Sequence, residues 1–193
     1  MIEPGVPSLR ASHSRGTLLA LQTLEPDRLA LVLAQLEPHV RRGLTEAATS
    51  DRIPAAWDLA LVRAEVAVIG RDAMRRVACA TLVDSLGGPQ LGALVSAALG
   101  LFGARPPALY GWTGKAWAHV TQGCGALRLD RTHGDEAWLA LEGMPAELVD
   151  VEYLEAIAGA LEAVLAICKV EGDVSAQPRT DGGRFHARWH AAR

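Results

Sequence analysis

Six histidines, three cysteines and a group of acidic residues are the side chains of this 193-residue chain that could do chemistry. The histidines are His13, His39, His119, His133, His186 and His190. None of their spacings gives HExxH, HxH or a Cys/His finger, the patterns that bring imidazole nitrogens to one zinc. His186 and His190 are four apart, but Gly183 to His190 alternates as a strand, where four residues span about 13 Å, too far to share a metal. They read as the solvated face of that strand. Cys79, Cys124 and Cys168 form no CxxC pair and suit thiols packed as small hydrophobes. Cys124 would be a nucleophile only in an electropositive neighbourhood, and Lys115 and Arg128 give it little support in the sequence. Gly123-Cys124-Gly125 begins like GxGxxG, yet Arg128 takes the sixth position and a strand follows, so a turn or bulge is expected rather than a phosphate cradle. Asp130, Asp135, Glu136 and Glu142 surround a hairpin and read as its solvated rim, not as a paired acid and base. There is no GxSxG. The chain is therefore expected not to be an enzyme, with no catalytic residue, metal or cofactor assigned.

The elements that must position these residues follow from periodicity. Residues 1–15 carry Pro4, Pro7, Ser8, Ser12 and Ser14 and read as a flexible arm, leaving 16–193 as one domain. Pro26-Asp27 opens a helix with Leu29, Val32, Leu33 and Leu36 on one face, interrupted at Pro38. Pro54 precedes a longer helix whose stripe is Leu59, Val62, Val66 and Ile69, with Gly70 inside the pattern before Met74, Val77 and Leu82 resume it. A further helix is expected over Leu91 to Phe102, and another over 106–120, where Gly111 and Gly114 leave helix and strand open. Period two then takes over. Leu127 and Leu129 alternate with Arg128 and Asp130. Ala137, Leu139 and Leu141 share a face, with His133-Gly134-Asp135 as the turn. Asp150 caps a long amphipathic helix with Leu154, Ile157, Ala158, Leu161, Val164, Leu165 and Cys168 on one side. A closing hairpin turns at Thr180-Asp181-Gly182-Gly183 and ends with Phe185, Ala187 and Trp189 on one face.

This order predicts an α+β fold: N-terminal helices packed on a small antiparallel sheet, with a long C-terminal amphipathic helix. Half the residues are hydrophobic, enough for a substantial core. A net charge of −3 argues against a nucleic-acid partner. Neither a signal peptide nor a run of about 18 apolar residues is found, so a cytoplasmic location with no transmembrane segment is expected. Trp112, Trp117 and Trp138 are the candidate interface residues, Trp138 because it points away from the Ala137/Leu139/Leu141 face.

The helical first half, Gly16 with its apolar run, Ile53-Pro54 before a helix, Gly70-Arg71, Gly125 before the strands, and Phe185 with Trp189 four residues on resemble a domain of unknown function found in myxobacterial paralogues. That domain is similar to small-molecule-binding domains of the 4-vinyl-reductase type and, more remotely, to the haem-nitric-oxide-binding and TRAPP-subunit folds. The resemblance implies an apolar pocket between helices and sheet and a tendency to form a homodimer. Several relatives carry a late cysteine cluster that in some of them binds metal, but Gln177 to Gly183 holds no cysteine, so no zinc is expected. Haem-binding relatives use a proximal His with Tyr-x-Ser-x-Arg, a motif this sequence lacks, so no haem is expected. The reading is a binding or sensory module for a small apolar ligand, lined by Val66, Ile69, Val77, Leu94, Ala98, Leu127, Leu139, Ile157 and Leu161. The alternative is a protein-interaction subunit without a ligand.

Overall fold

In the computed structural model, residues 5–87 and 105–191 are described. The expected helix over Leu91 to Phe102, and with it Leu94 and Ala98, lies outside them. The chain runs β1 (Ser8–Arg10), α1 (Ala11–Leu24), α2 (Leu29–Gln35), α3 (Pro38–Glu46), β2 (Arg52–Pro54), α4 (Ala55–Ile69) and α5 (Arg71–Gly87). It continues with α6 (Pro106–Tyr110), α7 (Thr113–Val120), β3 (Thr121–Gln122), β4 (Ala126–His133) and β5 (Glu136–Glu142). A single 3-10 turn, α8 (Val151–Cys168), β6 (Val170–Arg179) and β7 (Gly182–Ala191) complete it. This is the α+β arrangement expected. A four-stranded antiparallel sheet in the order β4-β5-β7-β6 carries α8 on one face, and α5 and α4 lie on the far side of α8. Among the described residues no helix is long and apolar enough to cross a membrane.

A second, smaller sheet has no counterpart in the sequence periodicity. Its order is β2-β1-β3, all antiparallel, with Leu9 opposite Ile53 on one side and Thr121 on the other. Residues 8–15, read from the sequence as part of a flexible arm, thus form a central strand and the first turn of a helix. The short Ser8-Leu9-Arg10 run is too brief to show a period, but Leu9 and Ser8 are both buried.

Local chemistry explains several boundaries. The Asp150 carboxylate accepts hydrogen bonds from the Glu152 and Tyr153 amides at 2.9 and 3.0 Å, the N-cap that starts α8. Gly70, read as lying inside a helical pattern, has φ +80° and separates α4 from α5. The segment 106–120 is helical in two pieces, broken at Gly111-Trp112. Within α7, a Cβ on Gly114 would lie 2.5 Å from the Leu127 carbonyl oxygen, so the glycine admits β4. A similar close approach joins α5 to α8: a Cβ on Gly159 would meet the Arg75 carbonyl oxygen at 2.7 Å. Arg75 then bonds Glu155 and Glu162 of α8 and the Val174 carbonyl of β6, clamping three elements. Burial would lower the Arg75 pKa, but the two carboxylates outweigh it and raise the value.

The last strand, β7, holds the expected alternation. Phe185, Ala187 and Trp189 are buried against α8, while Arg184, Arg188 and His190 are exposed.

Candidate functional site

The helices do not close completely on one another. A cavity of about 380 Å³ lies between α1, α4, α5, α7 and α8, with β1, β3 and the start of β4 at one end. Its wall is mainly apolar: Leu61 and Val62 of α4, Leu82 of α5, Val120 of α7, and Ile157 and Leu161 of α8. Small residues keep it open, notably Ala78, Ala116, Ala156 and Ala160. Trp117 forms part of the wall and is fixed there by its indole nitrogen, which donates to the Gly125 carbonyl at 3.1 Å.

Two acids interrupt this wall. Asp58 and Glu65 lie on α4, seven residues apart and so two turns along the same side, and both line the cavity. They are only 5% and 1% exposed. Both oxygens of Asp58 are occupied. The Ser14 hydroxyl donates to one at 2.8 Å and the Tyr153 hydroxyl to the other at 3.3 Å. Glu65 differs: among the described residues its Oε1 is buried without a hydrogen-bond partner. Burial, and secondarily the nearby Asp58, raises the Glu65 carboxyl well above the ordinary range. Tyr153 is also pushed up, by burial first and by Asp58 second, so it remains a neutral donor.

Of the residues expected to line a pocket, Leu127, Ile157 and Leu161 do so. Val77 and Leu139 are instead fully buried in the packed core, and Val66 and Ile69 are half-buried beside it. The stripe Leu59, Val62, Val66 and Ile69 is one step around α4 from the true buried side. That side runs through Ala55, Asp58, Leu59, Val62 and Glu65, and two of those positions are acidic. An apolar tally passes over them. Acids recurring at helical spacing within an apolar helix were the available signal.

The three tryptophans part company. Trp117 faces the cavity, Trp112 is half-buried with the Lys115 ammonium 4.2 Å from its ring centre, and Trp138 sits on the outer sheet face. There Trp138 stacks on His186 at 4.6 Å with the Arg131 guanidinium 4.1 Å over the ring. Cys124 is buried against the Ser8 and Gln122 carbonyls, and burial pushes its thiol up. His190 Nε2 lies 3.2 Å from the Glu171 carboxylate, whereas His186 Nε2 is 3.6 Å from Glu136 and has no hydrogen-bond partner among the described residues. Among the described residues no group of three His, Cys, Asp or Glu is placed to hold a metal.

With α8 between sheet and helices and a cavity beside it, the fold can be compared with solved structures. It is similar to haem-nitric-oxide-binding (H-NOX) domains. The Fe(II) unliganded H-NOX protein from K. algicida superposes with a TM-score of 0.62 at 7% identity, over 95% of this chain and 98% of that one. A mutant of the same K. algicida protein gives 0.65 at 8% identity, over 94% and 97%. An oxygen-binding H-NOX domain related to soluble guanylate cyclases gives 0.59 at 12% identity, over 91% and 92%. No family model and no curated relative matches the chain. At these identities the likeness concerns the fold.

The buried charged side chains of the described wall are ill matched to a haem. A haem needs an axial donor within the cavity and cations for its two propionates. Here two carboxylates are buried in the wall. Arg10, the one arginine among the described residues lining the cavity, donates its Nε–H to the His119 carbonyl at 3.0 Å. Of the two histidines in the wall, His119 is exposed and His13 half-buried.

Proposed function

We propose that this chain is a non-enzymatic binding or sensory module whose ligand is a small, largely apolar molecule held between α1, α4, α5, α7 and α8. The cavity carries this reading: about 380 Å³, walled mainly by aliphatic side chains, falls within the range that small-molecule sites occupy. The fold supports it, since similar structures include an oxygen-binding domain. Haem is not part of this reading, because the charged groups buried in the wall are the carboxylates Asp58 and Glu65, while its imidazoles lie nearer solvent. A non-catalytic role is supported by Cys124, whose raised pKa keeps the thiol protonated and a poor nucleophile. The second reading is a protein-interaction subunit that forms a homodimer, favoured by Trp138 lying on an outer sheet face between Arg131 and His186.

Native mass spectrometry of freshly purified protein, compared with its denatured mass, tests both. A retained molecule of a few hundred daltons per chain is the expected result. A bare mass of one chain overturns the ligand reading, and a bare mass of two chains transfers the weight to the interaction subunit.

A further inference from the structure

We infer that the cavity is selective for hydrophobic amines, molecules with an apolar body and one ammonium group that pairs with Glu65 beside Asp58. This inference deepens the proposed function and rests on the cavity being a ligand site. Glu65 lines the cavity, is 1% exposed, and among the described residues leaves Oε1 without a hydrogen-bond partner. An unpaired buried carboxyl is costly to retain and is readily explained where a ligand completes it. Asp58 adds a second acid two turns away on α4, with both oxygens already receiving hydroxyl donors. Neither hydroxyl brings a positive charge. Three side chains of the wall can carry positive charge: Arg10, whose Nε–H donates to the His119 carbonyl, the exposed His119 and the half-buried His13; among the described residues none of them bonds Glu65 Oε1. Residues 88–104 contain no Lys, Arg or His, so that stretch of the chain supplies no counter-ion. A cation with N–H donors, attached to a body that the aliphatic lining accepts, would complete Glu65.

The proton balance is simple. An amine entering as ammonium displaces the Glu65 proton to water. An amine entering neutral takes that proton from Glu65. Both routes end in one ammonium–carboxylate pair, shielded from water and stronger for it. A ligand carboxylate in the same place would meet two acids, and an alcohol would offer a single neutral donor.

Three probes of equal length separate these cases: n-octylamine, n-octanol and n-octanoate, titrated by calorimetry and followed through tryptophan fluorescence, to which the cavity-lining Trp117 contributes. Octylamine is expected to bind about tenfold or more tighter than octanol, as a charged hydrogen bond in a dry site predicts, with octanoate weakest. Glu65→Gln is nearly isosteric, and is expected to weaken octylamine by about tenfold while leaving octanol within about twofold. Equal binding of octanol and octylamine, or octylamine binding unaltered in Glu65→Gln, overturns the amine selectivity but leaves the cavity as a ligand site. Ala160→Phe, which fills the cavity from α8, identifies that case by abolishing whichever binding is seen. Absence of binding by all three probes overturns both the selectivity and the cavity reading.

Discussion

Glu65 imposes a pH signature on the whole protein. Its folded pKa is raised above the ordinary 4.5, by burial first and Asp58 second. Between those values the folded state keeps a proton that the unfolded chain has lost. The stability linked to this proton is thus complete below about pH 4.5 and declines as pH rises toward the folded value. The titratable and charged groups around the cavity are Asp58 on α4, Tyr153 on α8, His13 on α1, Arg10 on β1 and His119 on α7. Tyr153 is raised well above its ordinary value and does not titrate in this window. Glu65→Gln removes the Glu65 contribution, so urea denaturation at pH 5 and pH 8 is expected to show a smaller loss of stability in the variant than in the parent. Equal losses would mean that the Glu65 carboxyl is already paired in solution. This residue is invisible to a search for apolar stripes because it occupies a core position with a charged side chain. Asp150 is legible for the opposite reason, since an acid just before an apolar-periodic segment has one common structural use.

The α5–α8 crossing is where element geometry depends most on one atom. Gly159 lies within contact distance of the Arg75 backbone, and Arg75 in turn holds Glu155, Glu162 and the Val174 carbonyl. Gly159→Val forces the helices apart and is expected to cost about 1–3 kcal/mol, measured as a fall in the urea midpoint at unchanged slope. A variant as stable as the parent would show that the crossing can relax. Period two is clear in the sequence for β4, β5 and β7, and period 3.6 for α8, because each presents one apolar side to the core. The break at Gly111-Trp112 is not, since helical spacing of Leu109, Trp112 and Ala116 survives a short interruption. β1 escapes notice because three residues cannot establish a period, and their partners lie at Arg52–Pro54 and Thr121–Gln122, far along the chain.

At the scale of the molecule, an open cavity trades stability for capacity. Filling it with Ala160→Phe is expected to raise the unfolding free energy by about 0.5–2 kcal/mol while abolishing ligand retention, measured by denaturation and native mass on the same preparation. A destabilised variant would show that the space is too narrow for the ring. The overall architecture is readable from the order of periods, but not the cavity, which arises where elements distant in sequence fail to meet. The three-stranded β2-β1-β3 sheet has one more consequence, and it concerns time. β1 gains its β2 partner early in synthesis, yet its other edge stays bare until Thr121 and Gln122 emerge from the ribosome. Because Leu9, Arg10 and Thr121 also border the cavity, the nascent chain cannot complete the cavity wall until this long loop has closed, a non-local step of the kind that slows folding.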